Sequence, residues 1–460
     1  MGKYPRLFGT NGIRGVVNVE LTPQFITRIG MAIGTYFSGK EILIGWDSRT
    51  SSEYVANIIK GCLVACGCDV YEVGLAPTPA TQYLVKRHGF DGAVIVTASH
   101  NPPQYNGIKV VGPRGIEIPR SEEEKIEELY WEEKFTLKPY NELGNIHDAR
   151  YLLNTYIDDI LSRVDLDKIR KADMKIVIDC ANGAASLLVP ELLKRAGVRY
   201  LALNSYPDGR FPDRPPEPRP DTVVDLIKTV RDLGCIGIAY DGDADRSIFI
   251  DETGEFLWGD RSGTIIASHI VDREVKDGYS RIVVTPVSSS KLVEEVLTRL
   301  DIKIEWTPVG AINVSYKILE TNAFCGFEEN GGFLYTRHNP VRDGPMTTML
   351  MLNLLAETGK RLHELYETLP KYYAVKLRVE VTPEQKEKFS KVVEVLKEEY
   401  SQYRQIYIDG IRVDMEDGWF LVRPSGTEPI IRIFVEHKDP AKAQELATKL
   451  KNIVEKILKG

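Results

Sequence analysis

EILIGWDSRTSSEYVANIIKGCLVACGCDVYEVG, residues 41–74, opens on an apolar run, crosses a Ser/Thr-rich turn into an amphipathic helix, and ends on a second apolar strand. The same order recurs in KIVIDCANGAASLLVPELLKRAGVRYLALN, residues 175–204, and in RIVVTPVSSSKLVEEVLTRLDIKIEWTPVG, residues 281–310. Where each β-branched run ends, Ser, Thr, Asn or Gly stands ready to cap a helix, which is the arrangement of a βαβ unit. A single unit is common to all α/β proteins; three of similar length predict three tandem domains of similar topology.

The remainder of the chain reads differently. After KYYAVKLRVEV, residues 371–381, comes one helix with a Thr-Pro start, TPEQKEKFSKVVEVLKEEY, residues 382–400. Strands follow in IRVDM, WFLVRPS and IIRIFVEH, and a last helix starts at Asp439-Pro440. Consecutive strands between two helices predict a separate C-terminal α+β domain with an antiparallel sheet. The expected α/β domains are 1–150, 151–254 and 255–369, and the C-terminal domain is 370–460.

Bulk properties agree with a multi-domain globular enzyme. At 460 residues the chain exceeds one ordinary hydrophobic core, and 43% hydrophobic with 27% charged residues supplies several cores without an excess of disorder-forming residues. A net charge of -7 argues against a nucleic-acid surface and confines any anion binding to a focused pocket. No stretch approaches the roughly 18 to 20 apolar residues of a membrane span, and MGKYPRLFGTNGIRG lacks the apolar core of a signal peptide, so a cytoplasmic location with no membrane partner is the default. Six cysteines are too sparse for a disulfide framework, and Cys62 and Cys66, at helical spacing among apolar residues, read as buried inert thiols rather than metal ligands.

Four short constellations carry chemistry. Thr97-Ala98-Ser99-His100-Asn101-Pro102 follows the strand-like run 91–96, which places Ser99 at the end of a rigid support beside an imidazole. Asp241-Gly242-Asp243-Ala244-Asp245-Arg246 sets three carboxylates on alternate residues, able to offer three oxygens to a hard cation such as Mg²⁺ or Ca²⁺. An EF-hand reading fails because Arg246 stands where the turn glycine belongs and the flanks are strands. Gly326-Phe327-Glu328-Glu329-Asn330-Gly331-Gly332 offers carboxylate and amide groups suited to vicinal sugar hydroxyls. Arg423-Pro424-Ser425-Gly426-Thr427-Glu428-Pro429 combines a guanidinium, two hydroxyls and the amides of a Gly-containing turn, a cradle for phosphate. Alone, each is also an ordinary polar turn.

Taken in order, FGTNGIRG (8–15), TASHNP (97–102), DGDADR (241–246), GFEENGG (326–332) and RPSGTEP (423–429) resemble the signatures of the α-D-phosphohexomutase superfamily along the whole chain. The resemblance implies four domains, each giving one loop to a central cleft. It implies that Ser99 carries the phosphoryl group and completes a Mg²⁺ shell with Asp241, Asp243 and Asp245. Arg14, His100, Lys109 and Arg246 match positions beside the reacting phosphate, with Lys109, or His100 acting with it, as the candidate for proton transfer. Glu328 and Asn330 match the sugar loop, and Arg423, Ser425, Gly426 and Thr427 match the site of the phosphate that is not transferred.

The expected reaction interconverts hexose 1-phosphate and hexose 6-phosphate through a sugar bisphosphate, with mannose and glucose ahead of glucosamine and with a pentose phosphate as an alternative. A metal-dependent sugar phosphatase and a noncatalytic sugar-phosphate sensor are the readings from other classes; hydrolysis needs no second phosphate site, and a sensor needs no metal triad beside a reactive serine. Two departures bear on the sugar. Bacterial phosphomannomutase/phosphoglucomutase relatives carry His at positions that match Ala311 and Gly332. Phosphoglucosamine mutases commonly carry Gly where Phe327 stands and Asp where Ala311 stands. A homo-oligomer is compatible with the sequence, which does not specify one.

Overall fold

A computed structural model describes residues 4–426 and 428–459. Contacts divide the chain into two compact units, Met1–Ser262 with Asn330–Glu364, and Gly263–Glu329 with Leu365–Gly460.

In the first unit the opening repeat forms the strand Glu41–Trp46, the helix Ser52–Ala65 and the parallel strand Asp69–Leu75. The strand Gly92–Val96 lies parallel on the other side of Glu41–Trp46 and antiparallel to Tyr105–Val111, so residues 97–104 connect two neighbouring antiparallel strands. With Ile13–Val16 and Ile146–Asp148 at its edges this makes a mixed six-stranded sheet. The helix Pro23–Tyr36 is started by Thr22, whose side chain accepts from Phe25 N, and by Pro23 in its first turn. It approaches Ser52–Ala65 closely through Gly34, where a Cβ would meet Cys66 Sγ at 2.8 Å. Cys62 and Cys66 are buried packing thiols, and burial pushes Cys62 up to about 11.

The second repeat forms Lys175–Asp179, the helix Ala185–Ala196 and Arg199–Leu203. Ile236–Tyr240 lies parallel to Lys175–Asp179 and antiparallel to Ser247–Ile250. Tyr240 faces Ser247 across the pair, so residues 241–246 are a hairpin loop, related to its sheet as residues 97–104 are to theirs. The hairpin Phe333–Tyr335 and Asn339–Arg342 also belongs to this unit.

In the second unit the third repeat supplies parallel strands Ser280–Pro286 and Lys303–Thr307, with Ala323–Phe327 parallel on the other flank. The C-terminal sheet is wholly antiparallel, in the order 373–380, 430–437, 418–424, 411–415, 404–406. The α/β reading with three βαβ repeats and an antiparallel C-terminal sheet holds. One expected helix is two: Pro383–Glu387, started by a capping box of Thr382 and Gln385, and Phe389–Glu399. The break at Lys388 lets Phe389, Val392 and Leu396 face the C-terminal core while Lys386 donates to the main-chain oxygens of Ser425 and Glu428. Among the described residues no helix is long and apolar enough to cross a membrane.

Candidate active site

Ser99 sits just past the buried strand Gly92–Val96, with φ of +50°, a left-handed conformation uncommon outside glycine. The conformation is held from below. Ser99 N donates to Thr97 Oγ1 at 2.8 Å, and Thr97 Oγ1 donates to Asp47 Oδ2 at 2.6 Å. Asp47 pairs with Arg49, both side chains without exposed surface. Arg49 then donates to the main-chain oxygens of Ser99, Asn101, Pro102 and Tyr105 at 2.8, 2.6, 2.7 and 2.9 Å. One guanidinium thus serves four carbonyls of a single turn, that of Ser99 fully buried.

The acidic loop meets this turn directly. Asp241, Asp243 and Asp245 are buried, and one oxygen from each lies within 4.8 Å of the others. Ser99 Oγ donates to Asp241 Oδ2 at 2.9 Å. A Cβ on Gly242 would meet the main-chain oxygen of Ser99 at 2.4 Å, so only glycine permits the approach. Asp243 Oδ2 accepts from Thr78 Oγ1 at 2.7 Å and from Lys109 Nζ at 2.9 Å, and Asp245 Oδ2 accepts from Arg342 Nη2 at 2.5 Å. Oδ1 of Asp243 and Oδ1 of Asp245 are buried without a hydrogen-bond partner. Burial, then the charges of Asp245 and Asp243, pushes Asp241 well above the usual carboxylate range. On Asp243 burial acts the same way, but Lys109, Thr78 and Arg342 outweigh it and hold the group low. Three crowded buried carboxylates, two of them with an oxygen that accepts no hydrogen bond, fit a hard divalent cation such as Mg²⁺.

Cations surround the triad. Arg14 Nη1 donates to Asn101 Oδ1 at 2.5 Å, and Arg246 Nη1 donates to both oxygens of Glu217 at 2.8 and 3.0 Å. Arg246 Nη2 lies 3.1 Å from His100 Nδ1, and Ser99 Oγ lies 3.2 Å from the same nitrogen. A guanidinium only donates, so Nδ1 is an acceptor and the ring is the neutral tautomer protonated on Nε2. His100 keeps 34% of its side chain exposed, yet burial and then Arg246, Arg14 and Arg342 hold its pKa well below the ordinary value. Lys109 behaves oppositely: burial opposes its charge, but Asp243, Asp245 and Glu117 outweigh it and raise the pKa. Lys109 is therefore a fixed ammonium on Asp243, and His100 is the neutral base of the pair.

The structure brings Arg14, Ser99, His100, Lys109, Asp241, Asp243, Asp245, Arg246 and Asn330 into the first unit. The turn that holds Asn330 abuts the acidic loop: Ser247 N donates to Gly331 O at 3.1 Å, and Gly332 N donates to Asn330 Oδ1 at 3.1 Å. Glu328, Arg423, Ser425 and Gly426 lie in the second unit. There Glu328 is buried, Glu329 accepts from Lys376 Nζ at 2.6 Å, and Phe327 is a core side chain packed on Gly263, where a Cβ would meet its ring at 2.5 Å. Arg423 Nε donates to Asp409 Oδ2 at 2.9 Å, and Val309 N donates to the same oxygen at 3.2 Å, which ties the 308–310 turn before Ala311 to the phosphate-cradle candidate. Glu428 N donates to Ser425 Oγ at 3.2 Å. Thr427 lies outside the described residues.

Sequence reasoning missed Asp47, Arg49, Thr78, Glu217, Arg342, Lys386 and Asp409. Of these only Asp47-Ser48-Arg49 carried a local signal, a charged pair at the end of the strand in the first repeat.

Residues 5–137, 154–254 and 258–373 match the alpha/beta/alpha domains I, II and III of the phosphoglucomutase/phosphomannomutase family, and residues 375–453 match its C-terminal domain. A phosphoglucosamine/phosphogalactosamine mutase from Sulfurisphaera tokodaii is 45% identical over 460 residues, covering 99% of this chain and 100% of its own. A phosphoglucomutase/phosphomannomutase from Thermococcus kodakarensis is 40% identical over 466 residues, covering 100% of both chains. In fold, the crystal structure of a phosphoglucomutase/phosphomannomutase family protein from Burkholderia thailandensis superimposes with a TM-score of 0.86 over 98% of this chain and 97% of its own, at 24% identity. With four domain matches in order and relatives similar from end to end, the chain belongs to the phosphoglucomutase/phosphomannomutase family of the α-D-phosphohexomutase superfamily and is a phosphohexomutase, an isomerase.

Proposed function

We propose that the enzyme interconverts hexose 1-phosphate and hexose 6-phosphate through a phosphorylated Ser99 and a hexose bisphosphate. The observation that carries this reading is the Ser99 hydroxyl, 2.9 Å from Asp241 and 3.2 Å from an unprotonated imidazole nitrogen. In the forward half-reaction the bond between phosphorus and Ser99 Oγ breaks, a sugar hydroxyl bonds to that phosphorus, and the hydroxyl proton passes to His100 Nδ1, which hands it to the departing Ser99 Oγ and so leaves the serine hydroxyl and a neutral imidazole. In the second half Ser99 Oγ takes the other phosphoryl group from the bisphosphate and its own proton leaves through His100 to the departing sugar oxygen. Arg14, Arg246 and Lys109 supply fixed positive charge around the transferring oxygens. Asp241, Asp243 and Asp245, with Ser99, would hold Mg²⁺, which when bound adds Lewis-acid stabilisation of the phosphoryl oxygens. Arg423, Ser425, Gly426 and Thr427 are assigned to the phosphate that stays in place, and Glu328 and Asn330 to the ring hydroxyls.

Ala311 and Gly332 have no polar side chain to monitor a ring substituent, so mannose and glucose phosphates are both expected to react. A 2-amino hexose is the second reading, favoured by the name of the 45%-identical relative. The deciding experiment assays the protein with Mg²⁺ and a trace of hexose bisphosphate on mannose, glucose, glucosamine, galactosamine and ribose 1-phosphates. Turnover of several hexoses with ribose inert supports the proposal. Exclusive use of ribose 1-phosphate contradicts the hexose assignment, and stoichiometric release of inorganic phosphate would favour a phosphatase.

A further inference from the structure

Asp243 and Asp245 share a pattern that cation binding does not by itself require. On each, Oδ2 is taken by protein donors while Oδ1 is buried and accepts no hydrogen bond, although Arg246 Nε lies 3.7 Å from Oδ1 of Asp245 and Lys109 Nζ 3.7 Å from its Oδ2. Thr78 and Lys109 take Oδ2 of Asp243, and Arg342 takes Oδ2 of Asp245. Arg342 is 7% exposed and closely fitted. Its stem runs over Gly332, where a Cβ would meet Cδ at 2.3 Å, so a larger residue at 332 would displace the guanidinium from Asp245. Asn11, with its carbonyl oxygen turned toward Arg342, accepts from Nη2 at 3.0 Å.

A carboxylate with one oxygen engaged has only the other to offer an ion. Mg²⁺ suits that arrangement, because its compact octahedral shell takes one oxygen per carboxylate. Ca²⁺ is larger, takes about six to eight oxygens, and gains from carboxylates that turn both oxygens toward it. We infer that Arg342 is a selectivity-determining residue: by holding Oδ2 of Asp245 it limits that carboxylate to one metal-facing oxygen, as Lys109 and Thr78 limit Asp243, and so sets the triad against Ca²⁺. This inference rests on the assignment of a divalent cation to Asp241, Asp243 and Asp245.

The test is calorimetric titration of the full-length protein with MgCl₂ and with CaCl₂, without substrate. Arg342→Met keeps a stem over Gly332 and removes the donor. Losing the positive charge strengthens binding of both ions, so the ratio of the two affinities is the readout. Arg342→Met should shift that ratio toward Ca²⁺ by roughly tenfold, the scale on which ligand count tunes such sites. Arg342→Lys, which retains a donor, should stay nearer the wild type. Thr78→Val should move the ratio in the same direction by less, because Lys109 remains on Asp243. An unchanged ratio in Arg342→Met overturns the inference and leaves the cation site standing; should Arg342→Met fail to fold, an unchanged ratio in Gly332→Ala, whose Cβ would meet Arg342 Cδ at 2.3 Å and displace the guanidinium, overturns it instead. Wild type and Asp243→Asn binding both ions identically would contradict the cation assignment itself.

Discussion

Arg49 Nη2 donates to the main-chain oxygen of Ser99 at 2.8 Å from a guanidinium that has no exposed surface. Arg49→Ala leaves Asp47 buried without its cationic partner and removes the guanidinium donor from four carbonyls of the serine turn, a loss of about 3 to 5 kcal/mol in stability. Arg49→Lys keeps the charge but cannot serve four carbonyls and a carboxylate together, so it should retain more stability than Arg49→Ala while still losing turnover. Urea titration and kcat on the same preparations check both. An Arg49→Ala protein as stable and active as the wild type contradicts the clamp.

Glu328 and Arg423 should fail in different ways. Glu328→Ala should lower kcat/KM by about 1 to 3 kcal/mol per lost hydroxyl contact, roughly fivefold to 150-fold, and unequally among hexoses. Arg423→Ala should weaken all hexose phosphates by a similar factor, since each presents the same group to it. Uniform loss in Glu328→Ala, or sugar-dependent loss in Arg423→Ala, reverses the assignment.

His338 gives a pH signature to stability. Its ring stacks on Tyr83 at 4.5 Å, with Nδ1 2.6 Å from Asp159 and Nε2 3.2 Å from Asp343. Burial disfavours the imidazolium, but the hydrogen bond to Asp159 and the negative charges of Asp343 and Asp159 outweigh it and raise the pKa. The folded value exceeds the unfolded one, so the contribution is complete below the unfolded pKa of about 6.5 and is lost as pH rises through the folded value. The stability gap between wild type and His338→Asn should therefore shrink between about pH 6 and about pH 9. Equilibrium unfolding at the two pH values measures it; a gap that widens has the wrong sign for this pair.

What the sequence disclosed follows from the range of each signal. The three repeats were readable because period and capping are local, and the acidic loop because its three carboxylates are alternate residues. Thr78 and Asp243 are 165 positions apart, Lys109 and Asp243 are 134 apart, and Arg342 and Asp245 are 97 apart. No spacing rule links such pairs, so neither the Arg342 contact with Asp245 nor the Lys109 contact with Asp243 is legible in the sequence. Phe327 was noticed as a departure in the sugar loop, but its place in the core depends on Gly263, which lies far away in sequence.

The most direct test follows the phosphate itself. Incubate the protein with Mg²⁺ and hexose 1,6-bisphosphate, remove small molecules, record intact mass and map the modified peptide, then add unlabelled hexose 6-phosphate and repeat. The account predicts one phosphate on Ser99 that leaves on the second addition as hexose bisphosphate, and no labelling or turnover in Ser99→Ala. A phosphate on another residue, or Ser99→Ala with full activity, would contradict it.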